Sequence, residues 1–257
     1  MDTPDDEAHA LGELIAGAGP AGTVVLTGAG ISTASGIPDF RSASGLWSTV
    51  NPMEIATGTV LRNDPARFWE WYGPRVQALS AVRPNPAHEA VADLEAAGLV
   101  RAVVTQNIDG LHQAAGSGEV IEVHGSVHRG SCMECGVAVD GCELRRAATS
   151  APLPRCGDCG GVLRPGTVLV GEMLPVDAFD RASEVVADAR LLLCAGSSLE
   201  VYPVAGLPEL VFDAGRPVAI CTQGATPYDR EARFRSHAPL AELLPAAAAV
   251  AVEARTA

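Results

Sequence analysis

The sequence predicts an α/β fold: a parallel sheet with helices on both faces, joined to a smaller module built around paired cysteines. Three observations carry this reading. Short apolar runs alternate with helical stretches, the pattern of βαβ units. The first run, Val24-Val25-Leu26, ends in Thr27-Gly28-Ala29-Gly30, a turn of the kind that sets bare N–H groups against a phosphate. Two Cys-x2-Cys pairs then stand 20 residues apart in 126–165, a stretch without regular periodicity.

Each element follows in order. Residues 7–18 read as a short amphipathic helix and Val24–Leu26 as the first strand. Residues 42–84 collect Trp47, Phe68, Trp69, Trp71 and Tyr72, more than half of the chain's Trp and Tyr. Residues 86–97 read as a helix stopped by Gly98. Arg101–Thr105 and Val120–Val123 read as strands, 178–188 and 203–214 as helices, and Leu191–Cys194 and Val218–Cys221 as apolar strands. The strand ends at Thr27, Thr105, Ala195 and Cys221 then share one carboxyl edge, where ligands bind in such sheets. The last dozen residues are Ala-rich and are expected to fray.

Composition narrows the function classes. The 257 residues are 47% hydrophobic, enough for a core. Net charge is −13, so no basic stripe exists to neutralise a nucleic acid. An acidic surface suits cationic partners, such as lysine-rich protein segments, or serves solubility alone. All 18 cationic side chains are Arg; there is no Lys. No apolar span is long enough to cross a membrane. The N-terminus is acidic, unlike a secretory leader, so a cytoplasmic location is expected.

Cys132, Cys135, Cys156 and Cys159 have the spacing of a tetrahedral Zn(S)4 site, closed and therefore structural. The alternative is two disulfides, which suits a cytoplasmic chain with three further thiols poorly. Cys194 and Cys221 read as small buried hydrophobes. At the strand ends, Gln106, Asn107 and Asp109 can hydrogen-bond a ribose or carboxamide, or can merely cap a helix. His124, after the strand at 120–123, can act as a general base near neutral pH, or can pack or cap. His112 reads as structural.

The runs Gly28-Ala29-Gly30-Ile31-Ser32 through Pro38-Asp39-Phe40-Arg41, Thr105-Gln106-Asn107-Ile108-Asp109, His124-Gly125, the four cysteines, Gly171-Glu172 and Gly196-Ser197-Ser198-Leu199 stand in the order seen in sirtuins. The chain resembles that family of NAD-dependent protein-lysine deacylases over about residues 10 to 245. The resemblance implies a Rossmann-like large domain (7–41, 86–125 and 166–246), a helical insertion with the cofactor loop (42–85), a zinc ribbon (126–165) and a disordered tail (247–257). It implies that NAD is a consumed co-substrate and that Zn2+ supports the fold. Gly28, Ala29, Gly30 and Thr33 would line the diphosphate and ribose, and Asp39, Phe40 and Arg41 would form the cofactor loop. Gln106, Asn107, Ile108 and Asp109 would hold the ribose and carboxamide; Gly196, Ser197 and Ser198 would meet the phosphate and adenosine side. His124 and Asn107 are the implied catalytic pair, His124 taking a proton from a ribose hydroxyl. Val168, Gly171 and Glu172 would pair with the backbone of an acyl-lysine protein segment.

The sequence departs from the family pattern at three places. Val170 stands where Phe is usual, which loosens the wall along the substrate's stem. Thr222 stands where Asn usually faces the adenosine, a change worth about 1 kcal/mol if one hydrogen bond is lost. Tyr72-Gly73-Pro74-Arg75 resembles the desuccinylase branch, in which Tyr and Arg bind an acidic acyl group. Coincidental spacing is the other reading, and Gly73-Pro74 is expected to interrupt the helix that would align the two side chains. Deacetylation is the leading expectation. Desuccinylation, demalonylation, long-chain deacylation, protein mono-ADP-ribosylation and a non-catalytic NAD-binding module are the alternatives.

Overall fold

The computed structural model describes residues 3–39 and 51–256. Helix α1 (Pro4–Gly17) starts at a capping box in which Thr3 and Asp6 satisfy each other's N–H groups. Strand β1 (Thr23–Thr27) leads into a 3₁₀ helix, Ala29–Ser35. Then come α2 (Gly58–Asn63), α3 (Pro65–Leu79), α4 (Pro86–Ala96), β2 (Val100–Thr105), α5 (Leu111–Ala115) and β3 (Val120–Glu122). The irregular stretch resolves into β4 (Gly125–Cys132), β5 (Ala138–Asp140), α6 (Gly141–Ser150) and β6 (Leu163–Thr167). The chain ends with α7 (Val176–Ala187), β7 (Leu191–Ala195), α8 (Leu207–Asp213), β8 (Val218–Cys221), β9 (Phe234–Ser236) and α9 (Leu240–Thr256).

The main sheet has six parallel strands in the order β3-β2-β1-β7-β8-β9. In register, Thr27 lies opposite both Thr105 and Ala195, and Ala195 opposite Cys221. All four expected strand ends therefore form one carboxyl edge. Alternation along each strand sends Val25, Val103 and Leu193 into one apolar layer with α1, α4 and α9. Val24, Leu26, Val104 and Leu192 go into the other, beneath α7 and α8. A second sheet, β5-β4-β6, is antiparallel and packs with α2 and α3 around Phe68, Trp69, Leu144 and Leu163. Among the described residues no helix is long and apolar enough to cross a membrane.

Two expectations are corrected. Helix α3 runs unbroken through Gly73-Pro74. An interior proline costs about 3 kcal/mol, but α3 buries Phe68, Trp69, Tyr72 and Val76 on one face, each worth about 1.5–3 kcal/mol. Trp69 Nε1 also donates to Leu163 O at 2.9 Å. Docking outweighs the local penalty. The C-terminal segment is likewise ordered through Thr256, as part of α9. Its alanines are there for close approach: Ala247, Ala248 and Ala251 are buried, and α1 comes so near that a Cβ on Gly12 would lie 2.6 Å from Val250 Cβ.

Gly12→Val should therefore lower stability by about 1–3 kcal/mol through overpacking, read as a lower urea midpoint. An unchanged midpoint would mean that α9 is not seated on α1.

Candidate functional site

The two glycine-rich turns touch each other backbone to backbone. Gly28 N–H donates to Ala195 O at 3.1 Å and Gly30 N–H to Gly196 O at 2.9 Å. A Cβ on Gly30 would fall 2.7 Å from Gly196 Cα. Gly196 has φ +70°, and a Cβ there would meet Ile31 N at 2.3 Å. The glycines are thus required by this crossing, whatever ligand lies against it. Ala29 and Gly30 are half-buried and Thr33 is exposed, its hydroxyl donating to Gly30 O at 3.0 Å.

Beneath the crossing lies a buried polar network. Thr27 Oγ1 donates to Thr105 Oγ1 at 2.8 Å and so accepts from His112 Nε2 at 3.0 Å. Asn107 Nδ2 donates to Gly28 O and to Ser32 Oγ, each at 3.1 Å. Ser32 Oγ donates to Asp109 Oδ2 at 2.8 Å. His88 Nδ1 accepts from Asn85 N–H, which leaves its Nε2–H for Ser32 Oγ at 3.4 Å. Burial lowers the pKa of both histidines, His112 to about 3 with His88 adding to the effect. The network is therefore neutral in its histidines and aims the amide and carboxylate of Asn107 and Asp109.

The capping alternative holds for one oxygen only: Asp109 Oδ1 accepts from Leu111 N–H at 3.0 Å. Gln106 bridges to the neighbouring strand end, its Nε2 donating to Ser197 Oγ at 2.8 Å. Ile108 O accepts from Val127 N–H at 3.0 Å, tying the loop to β4. Ser198 and Thr222 are half-buried at the same edge, and Thr222 N–H donates to Ser236 O at 3.1 Å.

His124 stands where the two sheets meet. Its Nδ1 lies 2.9 Å from Gln106 O and must carry the proton to bond a carbonyl. Nε2 is then the basic nitrogen. Burial lowers the pKa, and the Gln106 carbonyl opposes that only in part. His124 O accepts from Val168 N–H at 2.8 Å. The segment after β6 is braced on several sides. Val170 N–H donates to Ala56 O at 2.9 Å. Glu172 Oε2 accepts from Leu169 N–H at 3.0 Å and from Arg164 Nη2 at 2.9 Å. Gly171 is exposed with φ +83°. The Glu172 carboxylate is thus a brace for its own loop.

Tyr72 is buried, with its hydroxyl 2.9 Å from Thr167 Oγ1 and its ring stacked on Phe68. Burial pushes its pKa up to about 12. Arg75 turns elsewhere: its guanidinium lies 4.3 Å from the Trp71 ring centroid and donates to Trp71 O. Asp39 lies at the end of the first described segment; Phe40 and Arg41 fall outside the described residues.

The four cysteine sulfurs lie within 4.8 Å of one another. Cys132 and Cys159 sulfurs are 3.5 Å apart, and those of Cys135 and Cys156 3.8 Å. These separations exclude S–S bonds of about 2.0 Å and match the ~3.8 Å between ligands in a tetrahedral Zn(S)4 shell. Backbone N–H groups of Cys135 and Glu134 lower the pKa of the Cys132 thiol, while crowding of the neighbouring sulfurs raises those of Cys135 and Cys159, the mutual repulsion that a bound cation would relieve. Cys142 lies outside this cluster.

The Sir2 family profile matches residues 28–203. This chain belongs to the Sir2 family. The sirtuin is 46% identical over 195 residues to NAD-dependent protein deacylase 2 of Pyrobaculum aerophilum, covering 76% of this chain and 77% of that one. It is 45% identical to NAD-dependent protein deacylase of Ralstonia nicotianae, covering 87% and 89%. Among solved structures, a mutant Sir2 homologue in complex with ADP ribose superposes with a TM-score of 0.90 at 36% identity, covering 100% of this chain and 98% of that one. A Sir2 homolog–NAD complex superposes with a TM-score of 0.86 at 37% identity, covering 96% and 93%.

Sequence reasoning passed over Ser32, His88, Asn85 and Thr167. Ser32 lay inside a quoted motif; His88, three residues after Asn85, carried only the signature of a helix start.

Two measurements test this geometry. The purified protein should hold about one zinc per chain by elemental analysis, and Cys135→Ser should lose it; a metal-free protein with two disulfides would refute the site. His112 gives a pH test. The unfolded chain takes up a proton near pH 6.5 that the folded chain resists down to about 3. The urea midpoint should therefore fall progressively as pH drops below 6.5, and His112→Gln should flatten that slope.

Proposed function

We infer that this sirtuin is an NAD-dependent protein-lysine deacylase that consumes NAD and one water and releases nicotinamide, O-acyl-ADP-ribose and the free lysine side chain. The observation that carries the reading is His124. Its Nδ1 proton is committed to Gln106 O, its Nε2 is free to take a proton, and it stands beside the loop that aims Asn107 and Asp109.

The roles follow from position. Gly28, Ala29, Gly30 and Thr33 offer the turn against which the diphosphate of NAD lies. Asn107, Ile108 and Asp109 meet the nicotinamide ribose and carboxamide, with Ser32 and His88 positioning them. Gln106, Gly196, Ser197, Ser198 and Thr222 line the course toward the adenosine. The family pattern assigns Asp39 to the cofactor loop together with Phe40 and Arg41, which lie outside the described residues. His124 Nε2 accepts the proton of a ribose hydroxyl as that oxygen attacks the acyl carbon. Val168 and Gly171 offer backbone to the acyl-lysine segment, while Glu172 holds their loop in place. Cys132, Cys135, Cys156 and Cys159 hold a structural Zn2+, which supplies rigidity and no chemistry.

The side chains around the acyl end favour a short neutral group. A carboxylate would have to draw Arg75 away from Trp71, where stacking and a backbone acceptor already hold it. Deacetylation is accordingly the first reading, with Tyr72 as wall and Arg75 outside the pocket.

Matched peptides bearing acetyl-, succinyl- and myristoyl-lysine, incubated with NAD and followed by mass spectrometry, test both points. The acetyl peptide should turn over fastest, yielding O-acetyl-ADP-ribose, and Arg75→Met should leave that rate within about twofold. His124→Ala should lower kcat/KM by roughly 10²–10⁴-fold. Because the pKa of His124 is lowered and the base must be neutral, activity should persist below pH 6.5 before its acid limb falls. A succinyl preference would return Arg75 to the site. Turnover unaffected by His124→Ala would sink the assignment of the base.

A further inference from the structure

Arg235 lies on the edge strand β9, opposite Ile220 of β8, with a side chain only 15% exposed. Its guanidinium gathers the backbone of the loop that leaves β8. Nη1 donates to Thr222 O at 2.7 Å and reaches Ile220 O at 3.4 Å. The same nitrogen donates to Ser236 O, and Nη2 donates to Gly224 O. Nε donates to Asp229 Oδ1 at 2.9 Å.

Asp229 is itself fixed. Its carboxylate accepts from Thr226 N–H at 3.1 Å and Thr226 Oγ1 at 2.6 Å. Burial acts to raise its pKa, but the Thr226 hydrogen bonds and the Arg235 charge outweigh it and keep the group below the usual carboxylate range. The carboxylate orients the guanidinium, whose Nη1 and Nη2 reach main-chain oxygens, Nη2 also lying 3.2 Å from His237 Nδ1. Five N–H groups in a rigid fork suit this task, where an ammonium would reach fewer acceptors.

The consequence lies at the sheet edge. Cys221 O accepts from Gly196 N–H at 2.8 Å, so the loop starting at Thr222 abuts the turn that carries Ser197 and Ser198. In a planar peptide, C=O and the following N–H point opposite ways. With the Thr222 and Gly224 carbonyls turned onto Arg235, the amides of Gln223 and Ala225 face away from it. Loop shape and amide direction are thereby set from behind by Arg235, with His237 Nδ1 donating to the intervening Gln223 O at 3.0 Å.

We propose that Arg235 is a positioning residue for the adenosine half of NAD, shaping the 222–225 turn from behind without touching the ligand. This rests on the placement of Thr222 at the adenosine end given above. It takes over by main-chain clamping part of what a longer amide at position 222 would do by direct contact.

The test uses the full chain, with ADP-ribose as the binding probe in titration calorimetry and steady-state kinetics on the acetyl-lysine peptide. Arg235→Met, which keeps the apolar stem, should raise the ADP-ribose Kd and the NAD KM about tenfold. The peptide KM and kcat at saturating NAD should stay within twofold. Arg235→Lys should recover part of the loss. Asp229→Asn, which loosens the fork while keeping its volume, should raise the NAD KM about threefold, and it carries the test should Arg235→Met not fold. A lowered urea midpoint with unchanged ADP-ribose affinity would overturn the proposal, as would equal rises in the NAD and peptide KM. Wild-type protein that binds ADP-ribose without deacylating would sink the activity assignment alone, since the affinity ratio still decides Arg235. Wild-type protein that does not bind ADP-ribose would overturn both.

Discussion

The crossing of two glycine turns is the constraint on which the site depends. Gly28 and Gly30 lie against Gly196 so closely that a Cβ on any of the three would strike backbone. No side-chain adjustment relieves such a clash. Because the turns cannot separate, the ends of β1 and β7 stay level, and the backbone ladder continues past them through Gly28 N–H, Gly30 N–H and Gly196 N–H. Asn107 then fastens the third loop to the first through Gly28 O. The groove is therefore built from main chain first, with side chains added to a frame already closed.

The second sheet makes His124, the proposed base, depend on a distant structural site. Strand β4 starts one residue after His124 and ends at Cys132. Along its length, Val127 holds Ile108 O and His128 lies against Gly110, with its Nε2 3.2 Å from Asp109 O. A Cβ on Gly110 would fall 2.4 Å from that imidazole. Disorder at the cysteine knuckles thus travels along one strand to both His124 and the loop that presents Asn107 and Asp109. A closed thiolate site needs no open coordination position to matter for the chemistry.

How much of this was legible follows from which forces were local. Strands β1, β7 and β8 announced themselves because each is a largely apolar run, buried throughout, with a turn at its end. The cysteine cluster was legible because spacing alone dictates a metal knuckle. Two misreadings share a cause. Gly73-Pro74 is a helix breaker by local energetics, and the alanines after 246 offer little burial on their own. Both segments are held by partners far away in sequence, Leu163 and Thr167 for α3 and Gly12 for α9. Ser32 and His88 escaped notice because a buried polar network has no period and no spacing; its members meet only once the sheet has formed. Strand β9, three residues long, is too short to carry a pattern.

The departures from the family pattern now sort by which end of the groove they touch. At the acyl end, Val170 contributes less side chain than a ring, but its N–H is secured to Ala56 O and its loop is braced by Glu172 and Arg164. The wall can thin without the loop losing its place. At the adenosine end, Thr222 reaches less far than Asn, but its main chain is held by Ser236 on one side and Arg235 on the other. In both places a shortened side chain coincides with a main chain fixed by an arginine–carboxylate pair behind it. Affinity lost with one direct hydrogen bond is about 1 kcal/mol, and an ordered loop recovers part of it by lowering the entropy lost on binding. Backbone order here offsets side-chain reach, and it does so at the two places proposed to meet the acyl group and the adenosine.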